Sequence, residues 1–123
     1  MMKNLAIALA AAAFAACFAV PVSAQNVGGR YQVIGTNFNG SPYSGTADIA
    51  ATSDNTCRIS WVTGGTTSRG ICMRKANTFA ASYVLDGKAG LVIYEIKSDG
   101  SLDGLWTLAD QNGVGTERLV PMR

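Results

Sequence analysis

From residue 43 onward, apolar and polar side chains alternate one for one in a series of short runs, the period of a strand with one dry face and one wet face. Tyr43, Gly45, Ala47, Ile49 and Ala51 share one side, with Ser44, Thr46, Asp48 and Thr52 on the other. Cys57, Ile59 and Trp61 oppose Arg58 and Ser60, and Phe79, Ala81, Tyr83 and Leu85 oppose Thr78 and Ser82. Leu102, Gly104, Trp106 and Leu108 oppose Asp103 and Thr107. One run departs from the rule. With Val92, Tyr94 and Ile96 inward, Leu91 and Ile93 are left outside, where together with Leu105 they form a small apolar outer patch, a candidate surface for a protein partner.

Seven turn signals punctuate residues 29 to 120: Asn39-Gly40, Asp54-Asn55, Gly64-Gly65, Ala76-Asn77, Asp86-Gly87, Asp99-Gly100 and Asn112-Gly113. Gly, Asn and Asp tolerate the positive φ of tight hairpins, so these dipeptides read as antiparallel connections between eight strands. No run has a helical stripe, and fourteen glycines, several inside strands, suit a strongly curved sheet. Eight strands joined in sequence can close and lose both edges. The expected fold is therefore all-β, an eight-stranded antiparallel up-and-down barrel, with a two-sheet β-sandwich as the alternative.

Before the first strand, Lys3, an apolar run from Leu5 to Val20 and the small residues Val22-Ser23-Ala24 have the layout of a secretory signal. Residues 1–24 are read as a signal peptide and 25–123 as a single barrel domain, exported to the periplasm or medium, with no membrane span. Phe14-Ala15-Ala16-Cys17 also resembles a lipobox, and lipid anchoring through Cys17 is the lesser alternative. Of ten Lys and Arg, Lys3 leaves with the leader, so the remaining balance against eight Asp and Glu is near neutral and attraction to nucleic acid is not built in. The chain has no histidine, which removes serine-histidine and cysteine-histidine catalysis.

Cys57 and Cys72 lie symmetrically about Gly64-Gly65, so a two-residue hairpin sets them face to face. A disulfide is expected there as a structural staple, at a hydrogen-bonded pair unless a bulge shifts the register. Asp99, Ser101, Asp103 and Asp110 have the spacing of a calcium loop, but strands rather than helices flank it, and a polar hairpin turn is the expected reading. No metal and no cofactor is called for.

Gly29-Arg30-Tyr31 at the start of the meander and Arg118 near its end resemble the calycin group of barrels: avidins, lipocalins and small bacterial protease inhibitors. In that group a Gly-x-Trp on the first strand packs against an Arg on the last; here Tyr31 stands in place of the Trp. The resemblance implies barrel closure by the Arg118 guanidinium over Tyr31. Arg118 and Glu117 fall on opposite sides of the last strand, so Glu117 is then a surface charge. If Glu117 instead faces inward, it needs a partner such as Arg30. The phrases Gly40-Ser41-Pro42-Tyr43-Ser44-Gly45 and Asp99 to Trp106 are also similar to small exported bacterial proteins sometimes labelled fibronectin-binding.

Trp61, Trp106, Tyr94 and Tyr43, with Tyr83, either fill a short barrel or line a pocket for a small molecule. The functional expectation is an exported, non-catalytic module that binds a protein partner, by adhesion or on a host matrix. The alternatives are a carrier of a small apolar ligand and a protease inhibitor acting through Gln25 to Gly28. The oligomeric state is left open.

Overall fold

The computed structural model describes residues 26–122. The signal-peptide and Cys17 expectations lie outside the described residues. Eight strands follow one another in order: β1 (Gly29–Thr36), β2 (Pro42–Ala51), β3 (Thr56–Thr63), β4 (Thr66–Lys75), β5 (Thr78–Leu85), β6 (Lys88–Ile96), β7 (Leu102–Leu108) and β8 (Gly115–Pro121). Each pairs antiparallel with the next, and β8 returns to β1 from Thr36↔Thr116 to Tyr31↔Pro121, so the sheet is a closed barrel rather than a sandwich. All seven turn dipeptides fall in the seven connections. Among the described residues no helix is long and apolar enough to cross a membrane.

Turn chemistry sets the register. Gly64 and Gly65 have φ of 54° and 80°, and Asp86 and Gly87 have 51° and 76°, the paired positive values of type I′ hairpins. From Thr63↔Thr66 the β3–β4 ladder runs without a bulge to Cys57↔Cys72, whose Cα atoms are 5.0 Å apart and whose sulfurs form a disulfide. At Gly45 and Gly70 an added Cβ would meet the carbonyl oxygens of Val62 and Ser82 at 2.0 and 1.8 Å, so both positions depend on the missing side chain for the strands to coil closely.

The alternation read from the sequence is the inside and outside of this barrel. Val33, Ile49, Ile59, Phe79, Leu102 and Leu119 are buried, while Leu91, Ile93 and Leu105 are 62, 55 and 49% exposed. Val27, ahead of β1, packs against the core, and its carbonyl accepts the Tyr31 hydroxyl at 2.6 Å. This covers the barrel end that also carries connections 52–55, 76–77 and 97–101.

The last strand corrects the closure expected from the resemblance. Gly115, Glu117 and Leu119 face inward, with Leu119 fully buried, and Arg118 faces out. Its guanidinium approaches Asp99 and Asp103 at 3.6 and 3.8 Å, and in the ladder it lies opposite Ile34, not Tyr31. Arg30 is also outside, forked onto Asp48. The physical reason is inside the barrel: Trp61, Tyr43 and Tyr94 bring three donors to one level, and that cluster requires an acceptor rather than another donor.

Candidate functional site

One kind of cross-strand pair, repeated four times, builds the wall of the interior at and above the level of Glu117. Tyr43 lies opposite Gly35, Tyr83 opposite Gly90, Tyr94 opposite Gly104 and Trp106 opposite Gly115. In each case the ring lies over the glycine: a Cβ built there would come within 2.3 Å of Tyr43, 2.3 Å of Tyr83, 2.6 Å of Tyr94 and 2.4 Å of Trp106. An inward glycine on one strand therefore makes the seat for an aromatic ring on its neighbour, and the rings are laid along the wall instead of across the lumen.

Near this level sits Glu117, only 8% exposed. Trp61 Nε1 donates to its Oε2 at 2.8 Å, the Tyr94 hydroxyl makes a short bond to the same oxygen, and the Tyr43 hydroxyl donates to Oε1 at 2.7 Å. Among the described residues no Lys or Arg comes within ion-pair distance of this carboxylate. Three neutral donors from β2, β3 and β6 take the place of a counter-ion. Burial, followed by the Glu117 charge, pushes the Tyr43, Tyr83 and Tyr94 hydroxyls above the ordinary tyrosine value, so all three stay protonated donors.

Above Glu117 the barrel is not filled. A cavity of about 300 Å³ opens at the end that carries connections 37–41, 64–65 and 86–87. Tyr43, Trp61, Tyr83 and Trp106 supply its aromatic wall, Leu85 and Val92 its aliphatic part, and Glu117 its charge. Asn37, Thr63, Thr66, Ser68 and Asp86 line it as polar residues. Trp61 and Tyr83 meet edge to face with centroids 5.2 Å apart, and Phe38 covers Trp106 at 4.7 Å. Below Glu117 the interior is close-packed, with Phe79 against Tyr94 at 5.7 Å.

Core filling and pocket lining, the two roles weighed for these aromatics, thus belong to different depths of one barrel. Tyr43, Trp61 and Trp106 are on the cavity wall; Tyr94, 1% exposed, is beneath it and reaches the site only through Glu117. Asn37, Thr63, Thr66, Ser68 and Asp86 are lining residues that the sequence reading did not single out, and the inward Glu117 was there the lesser of two alternatives. The signal for Glu117 is the inward company of Gly115 and Leu119 on its own strand.

The outer patch is wider than the three residues expected. Register lines up Met73, Ala80, Ile93 and Leu105 across four strands, and Ile71, Ser82, Leu91 and Thr107 in the next row. Ile71 and Met73 are 60 and 58% exposed. The calcium-loop spacing, by contrast, is spent on a turn, where Asp99 Oδ1 accepts from the Ser101 amide at 2.9 Å and its hydroxyl at 2.6 Å. Among the described residues no cluster of three metal-ligating side chains occurs.

No protein-family model matches the sequence, and no curated protein sequence matches it. The fold is similar to solved designed barrels. The redesigned β-barrel mFAP1, bound to DFHBI, is 20% identical, with 76% of this chain covering 94% of that one at a TM-score of 0.65. A de novo designed fluorescence-activating β-barrel is 14% identical, with 84% of this chain covering all of that one at 0.66. Another redesigned barrel, 18% identical, matches over 79% of this chain and 92% of its own at 0.69. These likenesses show a shared barrel fold.

Proposed function

We propose that this protein is an exported carrier that holds a small, flat, largely apolar molecule in the mouth of its barrel. The observation that carries the reading is the aromatic-walled cavity of about 300 Å³ above Glu117, at the lower end of the size range of ligand pockets. A barrel built only for stability would close over this space, as it does in its lower half. Flat walls of Trp61, Tyr83 and Trp106 favour a ring that can stack or meet them edge-on. The frame shared with mFAP1, which is bound to DFHBI, is one able to take such a molecule. The Cys57–Cys72 disulfide is compatible with export to an oxidising compartment.

Both tryptophans of the chain line the cavity, so occupancy should quench or shift nearly all of the indole emission. Titration with a broad panel of aromatic and apolar compounds should find saturable quenching, together with a rise in melting temperature of about 10 °C or more at concentrations about 100-fold above Kd. A flat response of both signals to the whole panel sinks the carrier reading.

A second reading rests on a separate observation, the exposed rows of Ile71, Met73, Leu91, Ile93 and Leu105. It is adhesion to a protein partner through the outer face, the activity implied by the fibronectin-binding resemblance. The double substitution Leu91→Ser and Ile93→Ser, which leaves the interior untouched, should then abolish capture of fibronectin by the folded protein. Equal capture by variant and parent removes this surface. An inhibitor role for Gln25 to Gly28 has less support, because Val27 is packed against the barrel end.

A further inference from the structure

The mouth cavity has a chemical bias that its shape alone does not disclose. Four aromatic side chains on its wall carry N–H or O–H groups, and all four are already committed. Trp61 and Tyr43 donate to Glu117, Tyr83 donates to the Thr107 carbonyl at 3.0 Å, and Trp106 donates to the Thr116 carbonyl at 3.3 Å. Asn37 is committed too, through its amide to the Ser41 carbonyl and hydroxyl. What remains toward the lumen is phenol oxygens, ring faces and the carboxylate, all acceptors, together with the hydroxyls of Thr63, Thr66 and Ser68, which can serve either way.

Charge adds to that bias. Among the described residues no Lys or Arg lines the cavity, while Glu117 lies in its wall and Asp86 lines it on a mouth connection. A carboxylate has about four acceptor positions. Trp61 and Tyr94 occupy two on Oε2, but Oε1 receives only Tyr43. The buried charge is therefore hydrogen-bonded yet unneutralised, which is a standing electrostatic attraction for a cation entering a low-dielectric space. Indole and phenol faces add cation-π attraction to the same end.

We propose that the ligand of this cavity is a small organic cation: an aromatic or apolar body bearing a protonated amine or amidine whose N–H points at Glu117 Oε1. The inference rests on the carrier reading above and assigns its ligand class. An anion would meet Glu117 with no basic side chain to compensate, and a neutral compound would leave its charge unneutralised.

Three ligands of one shape separate these cases: phenethylamine, 2-phenylethanol and phenylacetate, each titrated at pH 7 against the full-length processed protein and read by tryptophan emission and calorimetry. The cation should bind about tenfold or more tighter than the alcohol, and phenylacetate should not bind. Glu117→Gln should bring the amine and alcohol to within about twofold of each other. Because an amide in place of the carboxylate offers fewer acceptors to three donors, this variant must first show a native far- and near-ultraviolet dichroism spectrum. Asp86→Asn, on an exposed turn, is the second variant and should narrow the ratio of amine to alcohol affinity; a ratio equal to that of the parent counts against a charge-selective mouth. Equal affinity for all three ligands in the parent protein overturns the cation assignment but keeps the carrier. Tighter binding of phenylacetate than of the amine likewise overturns it. Absence of amine binding up to tens of millimolar also overturns the cation assignment, and the carrier reading falls with it only if the broad panel is silent too.

Discussion

At the scale of single residues, the site depends on what four glycines lack. At Gly90 a Cβ would come within 2.3 Å of the Tyr83 ring, as close as the approach of Gly35 to Tyr43. Tyr83 is a movable side chain with open space beside it, so Gly90→Ala should swing the ring into the cavity instead of unfolding the strand. Expected are a stability loss of about 1 kcal/mol in urea titration and a loss of ligand binding that is large by comparison. Unaltered binding would show that Tyr83 does not shape the pocket. Ala76 is the reverse case, a residue with a side chain where none is wanted. Its φ of 54° lies in the left-handed region, which costs an alanine about 1–2 kcal/mol. Part of this is lost again to the freer unfolded chain, so Ala76→Gly should raise stability by up to about 1 kcal/mol, measurable as a higher urea midpoint.

At the scale of strands and hairpins, most of the architecture was legible in the sequence, because each feature is local. Gly64-Gly65 sets a two-residue turn, counting outward from it pairs Cys57 with Cys72, and alternation sorts Ile59 from Arg58 without knowledge of the rest. Removing the staple by Cys57→Ala with Cys72→Ala should lower stability by roughly 3 kcal/mol for a loop of this length, seen as a urea midpoint that shifts with little change in slope. The last strand was not legible for the opposite reason. Glu117 and Arg118 each fit one of two alternating sets, and the need that decides between them arises from Tyr43, Trp61 and Tyr94, carried by three strands distant in the chain. Tyr31 likewise satisfies its hydroxyl on Val27, outside the strands altogether, and has no use for the guanidinium. How deep each aromatic lies along the axis depends on strand tilt, so filled core and open cavity could not be separated from spacing alone.

At the scale of the whole molecule, all four tyrosines are held above their ordinary value of 10, chiefly by burial. The unfolded chain would ionise near pH 10 while the folded one keeps its protons, so the unfolded state binds fewer protons above that point. The stability they contribute is present in full below about pH 10 and is lost as the pH rises from there through the raised folded values. Absorbance at 295 nm should therefore show no phenolate with an ordinary midpoint in the folded protein; it should appear in one cooperative step that coincides with alkaline unfolding. A separate, noncooperative titration near pH 10 would show at least one tyrosine to be freely hydrated. The division of the interior has another consequence. The close-packed half is held by Val27 and the lower residues of every strand, whereas two of the connections at the mouth, 37–41 and 109–114, are longer than a tight hairpin, and the first of them supplies Phe38 against Trp106. Changes of length or composition in those two loops would alter what enters the cavity without touching the residues that hold the barrel shut. On the carrier reading, selectivity is then a property of two loops, and exchanging them should trade one ligand for another with the eight strands carried over unchanged.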